Sequence, residues 1–119
     1  MPKLTDKQIY TYIGEAQHYN DRNTFAGDIA NGAYDAAECY DDLDKDFIEQ
    51  CARLWDIARI PFRELISKIG ITQSDCSRRF LIPLRTLSHW CSSGNDQREC
   101  PVYIRLMIAE LTGYFSARA

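Results

Sequence analysis

Residues 72–90, TQSDCSRRFLIPLRTLSHW, read as two short helices joined by a tight turn. Thr72 has the oxygen of a helix N-cap and Asp75 follows three residues later, the spacing of a reciprocal capping box. Leu81-Ile82-Pro83 interrupts the first helix and puts a proline where a second can start, because the missing proline N–H is unpaired there anyway. Cys76, Phe80, Ile82, Leu87 and Trp90 supply the inward positions, and Ser77 is small where two helices approach. This is helix-turn-helix spacing.

The stretch resembles the Cro and phage-repressor (XRE-type) helix-turn-helix family over about residues 62–112. Thr72-Gln73 matches the family's Thr/Ser-Gln opening, Trp90 stands at its closing apolar position, and Gly94, Arg98 and Pro101 follow in its order. The chain departs from the pattern at Leu81, which takes the place of the turn glycine, and at the 94–101 loop. That loop is about two residues longer than usual and carries Asp96 and Glu99. The resemblance implies binding to double-stranded DNA as a homodimer, with the helix over 83–92 lying in the major groove. By matching position, Leu84, Arg85, Ser88 and His89 are the expected base readers. Gln73, Thr86, Ser92 and Arg98 are the expected phosphate contacts.

Outward from this motif, the helical signals continue in both directions. Thr5-Asp6-Lys7-Gln8 is a second capping box, with Ile9, Tyr12, Ile13, Ala16 and Tyr19 at helical spacing behind it. After the cap cluster Asn20–Asn23, Phe25, Ile29 and Ala30 predict a short helix ending near Asn31-Gly32, and residues 33–44 read as an acidic loop with at most one helical turn. Phe47, Ile48, Cys51, Leu54, Trp55 and Ala58 mark a strong amphipathic helix to about Arg59. Pro61 forces a boundary; Phe62, Leu65, Ile66 and Ile69 share one face of the next helix, and Gly70 ends it. A last helix runs from Pro101 to about Thr112, with Val102, Leu106, Ile108 and Ala109 expected inward. The expected fold is all-α, a compact bundle of six to seven short helices. Residues 1–60 form an acidic helical extension packed on a helix-turn-helix domain at 61–119. Family members carry a further closing helix that this chain lacks, so the apolar faces of the extension are expected to cover the motif domain.

The net charge of −3 conceals an asymmetry. Residues 1–61 hold six Lys/Arg and twelve Asp/Glu, whereas residues 62–119 hold eight and five. A basic half carrying the motif suits phosphate contact, and the acidic half is repelled by it. The acidic group Asp35, Glu38, Asp41, Asp42, Asp44 and Asp46 raises a rival reading. In that reading a protein partner docks on Asp41, Asp42, Asp44 and Asp46, as with DNA-mimicking inhibitors of the anti-CRISPR or anti-restriction type. Alternate Asp42, Asp44 and Asp46 do not make a calcium loop, because Phe47 stands where the turn glycine belongs and Arg53 where a bidentate glutamate belongs.

Five cysteines without a C-x-x-C pair, and only two histidines, suggest free buried thiols and neither a metal site nor a disulfide framework. No phosphate loop, H-E-x-x-H or G-x-S-x-G occurs, so neither an enzyme nor a cofactor is expected. The apolar runs are too short for a membrane span, and the start MPKLTDKQIY has no apolar leader region. A cytoplasmic regulator, of the kind found in phages and mobile elements, is the expectation.

Overall fold

In the computed structural model, Thr5 and Thr72 both close the capping boxes that their spacing predicts. The Thr5 hydroxyl accepts from the Gln8 N–H while the Gln8 side chain accepts from Thr5, and Thr72 and Asp75 do the same. The structure describes residues 3–36, 45–92 and 98–119, the side chains of 33–36 excepted. Seven helices occur among them: α1 (Asp6–Ala16), α2 (Arg22–Ala36), α3 (Lys45–Arg59), α4 (Phe62–Ile69), α5 (Gln73–Phe80), α6 (Leu84–Cys91) and α7 (Val102–Leu111). The all-α bundle is as expected. The only β-type pairing among these residues is an isolated bridge between Leu4 and Arg118. No described helix is long and apolar enough to cross a membrane.

Local signals place the ends. Asp21 accepts from the Thr24 N–H at 2.8 Å and caps α2. Gly70, at φ 91°, turns the chain out of α4, and the Ile71 N–H returns to the Ile66 carbonyl at 3.2 Å. One boundary differs from the sequence reading. α2 continues past Asn31-Gly32 to Ala36, because Gly32 lies within a helix whose inner face Phe25, Ile29 and Ala30 already bury.

Two apolar clusters fill the interior. One gathers α1, α2 and α3 through Ile9, Phe25, Ile29, Phe47, Cys51 and Leu54, and takes in Leu4, Ala109, Phe115 and Ala117. The other gathers α4, α5, α6 and the start of α7 through Phe62, Ile66, Cys76, Leu87, Trp90 and Ile108. The α3 stripe is therefore covered by α1 and α2 together with Ala109, Phe115 and Ala117 of the 61–119 segment, so the motif domain meets it through α7 and the C-terminal residues and not through α4–α6. What joins the clusters is α7, which places Ile108 in one and Ala109 in the other. Val102, expected inward, is instead 36% exposed, while Arg105 one turn on is buried.

Arg105 is held by the end of α3. Its Nε donates to the Ile57 carbonyl at 2.6 Å, and its Nη2 donates to the carbonyls of Asp56 (3.1 Å) and Ile60. The Ile57 carbonyl is an acceptor that the helix end leaves unpaired, because Pro61 has no N–H, whereas the Asp56 carbonyl also accepts from the Ile60 N–H at 3.1 Å, and the cation suits the negative end of the dipole. Burial works against the guanidinium charge, so the site depends on all these carbonyls. The C-terminal segment then returns across the first cluster. Gly113 turns at φ 81°, the Leu4 N–H donates to the Ala117 carbonyl at 2.6 Å, and the Ala119 N–H donates to the Leu4 carbonyl at 2.8 Å. Arg118 pairs with Glu110 at 2.6 Å and with Asp6.

Asp56 is fully buried and carries the second tie. Arg22 grips it through Nε and Nη2, each at 2.9 Å, the Tyr114 hydroxyl donates to it at 2.6 Å, and Lys68 lies 3.5 Å away. Burial alone would raise this carboxyl, but the bonds from Arg22 and Tyr114 and the nearby charges hold it below the ordinary carboxylate range. A lowered value in the folded state means that the stabilisation is present above the ordinary carboxylate pKa and is lost as pH falls through the folded value. Asp56→Asn is expected to cost about 3 kcal/mol at neutral pH, the scale of breaking a buried pair, and to flatten the loss of stability below the ordinary carboxylate range. Thermal melts from neutral to acid pH check both.

A fragment of residues 61–119 loses the carbonyl partners of Arg105 and the cover over Phe115 and Ala117. A chain that short buries only about 60% of its unfolded surface. The fragment is expected to lack a cooperative melt by circular dichroism, and a fully helical, cooperatively melting fragment would refute the role given to α3.

Candidate nucleic-acid interface

The α5–turn–α6 unit is assembled by bonds within a few residues. Ser77, small and half-buried, donates its hydroxyl to the Ile82 carbonyl at 2.6 Å and so ties α5 to the turn. Leu81 ends α5 in the left-handed region at φ 57°, ψ 38°. It is the only non-glycine residue among those described with positive φ, and this is the position where the family pattern has glycine. Pro83 then starts α6, and the Leu87 N–H bonds back to its carbonyl at 3.1 Å. Leu87, Trp90 and Cys91 bury the inner face of α6. The Trp90 ring meets Phe62 of α4 edge-on, with centroids 5.4 Å apart and planes at 70°.

The outer face of α6 carries the predicted readers. Leu84 is 50% exposed, Arg85 and Ser88 are exposed, and His89 is half-buried toward the end of the helix. Thr86 is half-buried. Gln73, half-buried, begins α5 directly after its cap. Asp75 shares that first turn, its carboxylate held below the ordinary range by the bonds from Thr72 and by Arg78 at 2.8 Å. An anion placed beside Gln73 would therefore meet a negative neighbour.

The end of α6 is closed by its own neighbours. The His89 carbonyl accepts from the Ser92 hydroxyl at 3.1 Å and from the Arg98 N–H at 3.1 Å. The single hydroxyl proton of Ser92 is thus engaged on the helix end and is not offered to a phosphate. The Arg98 side chain is exposed. Of the acidic group, Asp41, Asp42 and Asp44 lie outside the described residues, as do Glu38, Gly94 and Asp96. Asp46 is exposed in the first turn of α3.

Electrostatically the two regions divide as their composition suggests. Residues 62–92 hold five Lys/Arg against two Asp/Glu, and Arg63, Arg78, Arg79 and Arg85 are all exposed. In the first cluster the arginines face inward to backbone. Arg59 donates to the carbonyls of Ala16 (3.2 Å) and Tyr19 at the end of α1, and Arg53 to that of Tyr114 at 2.6 Å. The four cysteines among the described residues are free and buried. Burial pushes the Cys51 and Cys100 thiols up to about 12, which keeps them protonated.

The sequence reading missed the outward apolar side chains of α7, Tyr103, Met107 and Leu111, which are 67, 55 and 64% exposed. Their signal was the helix itself, VYIRLMIAEL, in which Arg105 and Glu110 are the only charged residues where a surface helix has a polar face.

Comparison with protein-family models, with curated proteins and with solved structures finds no match. Trp90→Ala is expected to destabilise the fold by about 3 to 5 kcal/mol, the usual cost of truncating a buried indole. An unchanged melting temperature would mean that α6 does not depend on this packing.

Proposed function

We propose that the chain is a sequence-specific DNA-binding protein, a dimeric transcriptional repressor or autoregulator of the cytoplasm that reads the major groove with α6. The observation that carries this reading is the division of α6 into a buried face, Leu87, Trp90 and Cys91, and an exposed face bearing Leu84, Arg85 and Ser88. A helix so anchored presents a fixed guanidinium. Arg85 can donate two bonds to guanine O6 and N7, Leu84 can meet a thymine methyl group, and Ser88 can serve either base type one turn on. His89, at the rim of that face, reaches a purine N7 or a phosphate.

Thr86, Gln73 and Arg98 would fix the register on the phosphates, with exposed Arg63, Arg78 and Arg79 adding a sequence-independent attraction that weakens as salt rises. The acidic α1–α3 region is repelled by the duplex, which orients the chain with α4–α6 toward it. Absence of an acidic residue from the first turn of α6 removes the charge that would oppose its approach to the groove.

Selection of bound duplexes from a random pool is expected to enrich one motif with wild-type protein. Arg85→Ala is expected to bind that motif about 5- to 150-fold more weakly, the equivalent of one bidentate contact worth about 1 to 3 kcal/mol. Its circular dichroism should be unchanged. Failure to enrich any motif would overturn the reading, and equal binding by the variant would remove Arg85 from it.

A further inference from the structure

Leu81 is 88% exposed, the most exposed large apolar side chain among the described residues, and its backbone sits in a conformation that favours glycine. A leucine there gains nothing from its own fold and strains it. Such an outlier points toward use of the side chain outside the monomer. Beside it runs an apolar groove of about 410 Å³ between the α5–α6 turn and α7, walled by Phe80, Ile82, Ile104 and Ile108. Its outer edge is the exposed row Tyr103, Met107 and Leu111.

We propose that this face pairs with a second copy of the same chain, Leu81 of each protomer seating in the groove of the other. Three observations favour a second copy over a different partner. A two-fold interface needs one patch that is complementary to itself, and here the protruding side chain and the groove lie side by side on the same surface. The α7 row is evenly spaced, four residues either side of Met107. An antiparallel crossing of the two α7 helices at Met107 therefore sets Tyr103 against Leu111 of the other copy and leaves no member of the row uncovered.

Charge gives the third. Among the described residues Arg79 is the only charged side chain lining the groove. On α7 itself Arg105 is buried against carbonyls and Glu110 is paired with Arg118. The α7 row itself therefore brings no unpaired charge to the crossing. The four exposed side chains present on the order of 500 Å² of apolar surface, the size of patch that is often functional on a monomer. With a polar rim they approach the about 800 Å² per partner of a standard interface.

The inference deepens the DNA-binding reading, since a two-fold pair would read two half-sites and no α6 residue lines the groove. Its test needs no DNA. Sedimentation equilibrium of the full chain is expected to show a monomer–dimer equilibrium. Met107→Asp sets two carboxylates together at the axis and is expected to raise the dimer dissociation constant by about 100-fold or more, with helicity unchanged. Leu81→Gly serves as a second variant that relieves strain, so it is expected to weaken the dimer while raising the melting temperature of the dilute monomer. A wild-type chain monomeric throughout, or a dimer whose affinity neither variant lowers, overturns the interface. Motif selection by a wild-type monomer would then leave the DNA reading standing, and a variant-sensitive dimer that selects no motif would leave the interface standing without it.

Discussion

The contact on which the arrangement depends is the guanidinium of Arg105 against the last carbonyls of α3. A helix C-terminus buried at a junction carries acceptors that cost free energy if left dry. The Ile60 N–H closes the Asp56 carbonyl locally, but Pro61 follows and supplies no N–H for the Ile57 carbonyl. The donors must come from elsewhere in the sequence, and Arg105 brings two nitrogens to the carbonyls of Asp56, Ile57 and Ile60. Once this is in place α7 cannot rotate. Its two faces are then committed, Ala109 to the first apolar cluster and Ile108 to the second.

The same device recurs and explains where the positive charge is available for function. Arg59 caps the end of α1, Arg53 donates to the Tyr114 carbonyl, and Arg22 neutralises Asp56. These arginines act as long cross-links whose charge is absorbed by backbone dipoles or a buried carboxylate. The arginines of α4, α5 and α6 stand exposed (Arg63, Arg78, Arg79 and Arg85), and among the described residues only Arg78 has a carboxylate within the ion-pair distance, in a surface pair worth little. Surface positive charge is thus concentrated on the motif helices by the internal use of arginine elsewhere, beyond what the composition of the two halves produces.

Much of the backbone is legible because its signals are local. Thr5 with Gln8, Thr72 with Asp75, Pro61, Gly70 and Pro101 each act within one helical turn, and the structure places helix ends at all of them. The inward register of Leu87 and Trp90, and with it the outward placement of Arg85, follows from the helical period in the same way. Asp56 and Arg105 were not legible as buried residues. A charged side chain looks like surface in a sequence, and the partners that permit its burial lie 34 and 48 positions away. The elements that cover the α3 stripe were only partly legible for a related reason. An amphipathic face declares that something must cover it but not what, and here α1, α2 and the C-terminal segment reach it before α4–α6. Spacing also does not reveal where a side chain serves its own helix, as Ser92 does in closing α6 on the His89 carbonyl.

The turn at Leu81 and the helix α7 are connected by one physical requirement. Ser77, bonded to the Ile82 carbonyl, ties the turn to α5, and residue 81 between them lies in the left-handed region. Glycine would remove the strain and leave Phe80, Ile82 and Ile108 at the floor of an open groove. Leucine keeps the strain of about 1 kcal/mol and extends the apolar surface outward, level with Tyr103, Met107 and Leu111. A helix apolar on all sides is stable in water only when each side is covered. α7 has the first cluster on one side and the second on another, and its third side carries Tyr103, Met107 and Leu111, which stand exposed among the described residues.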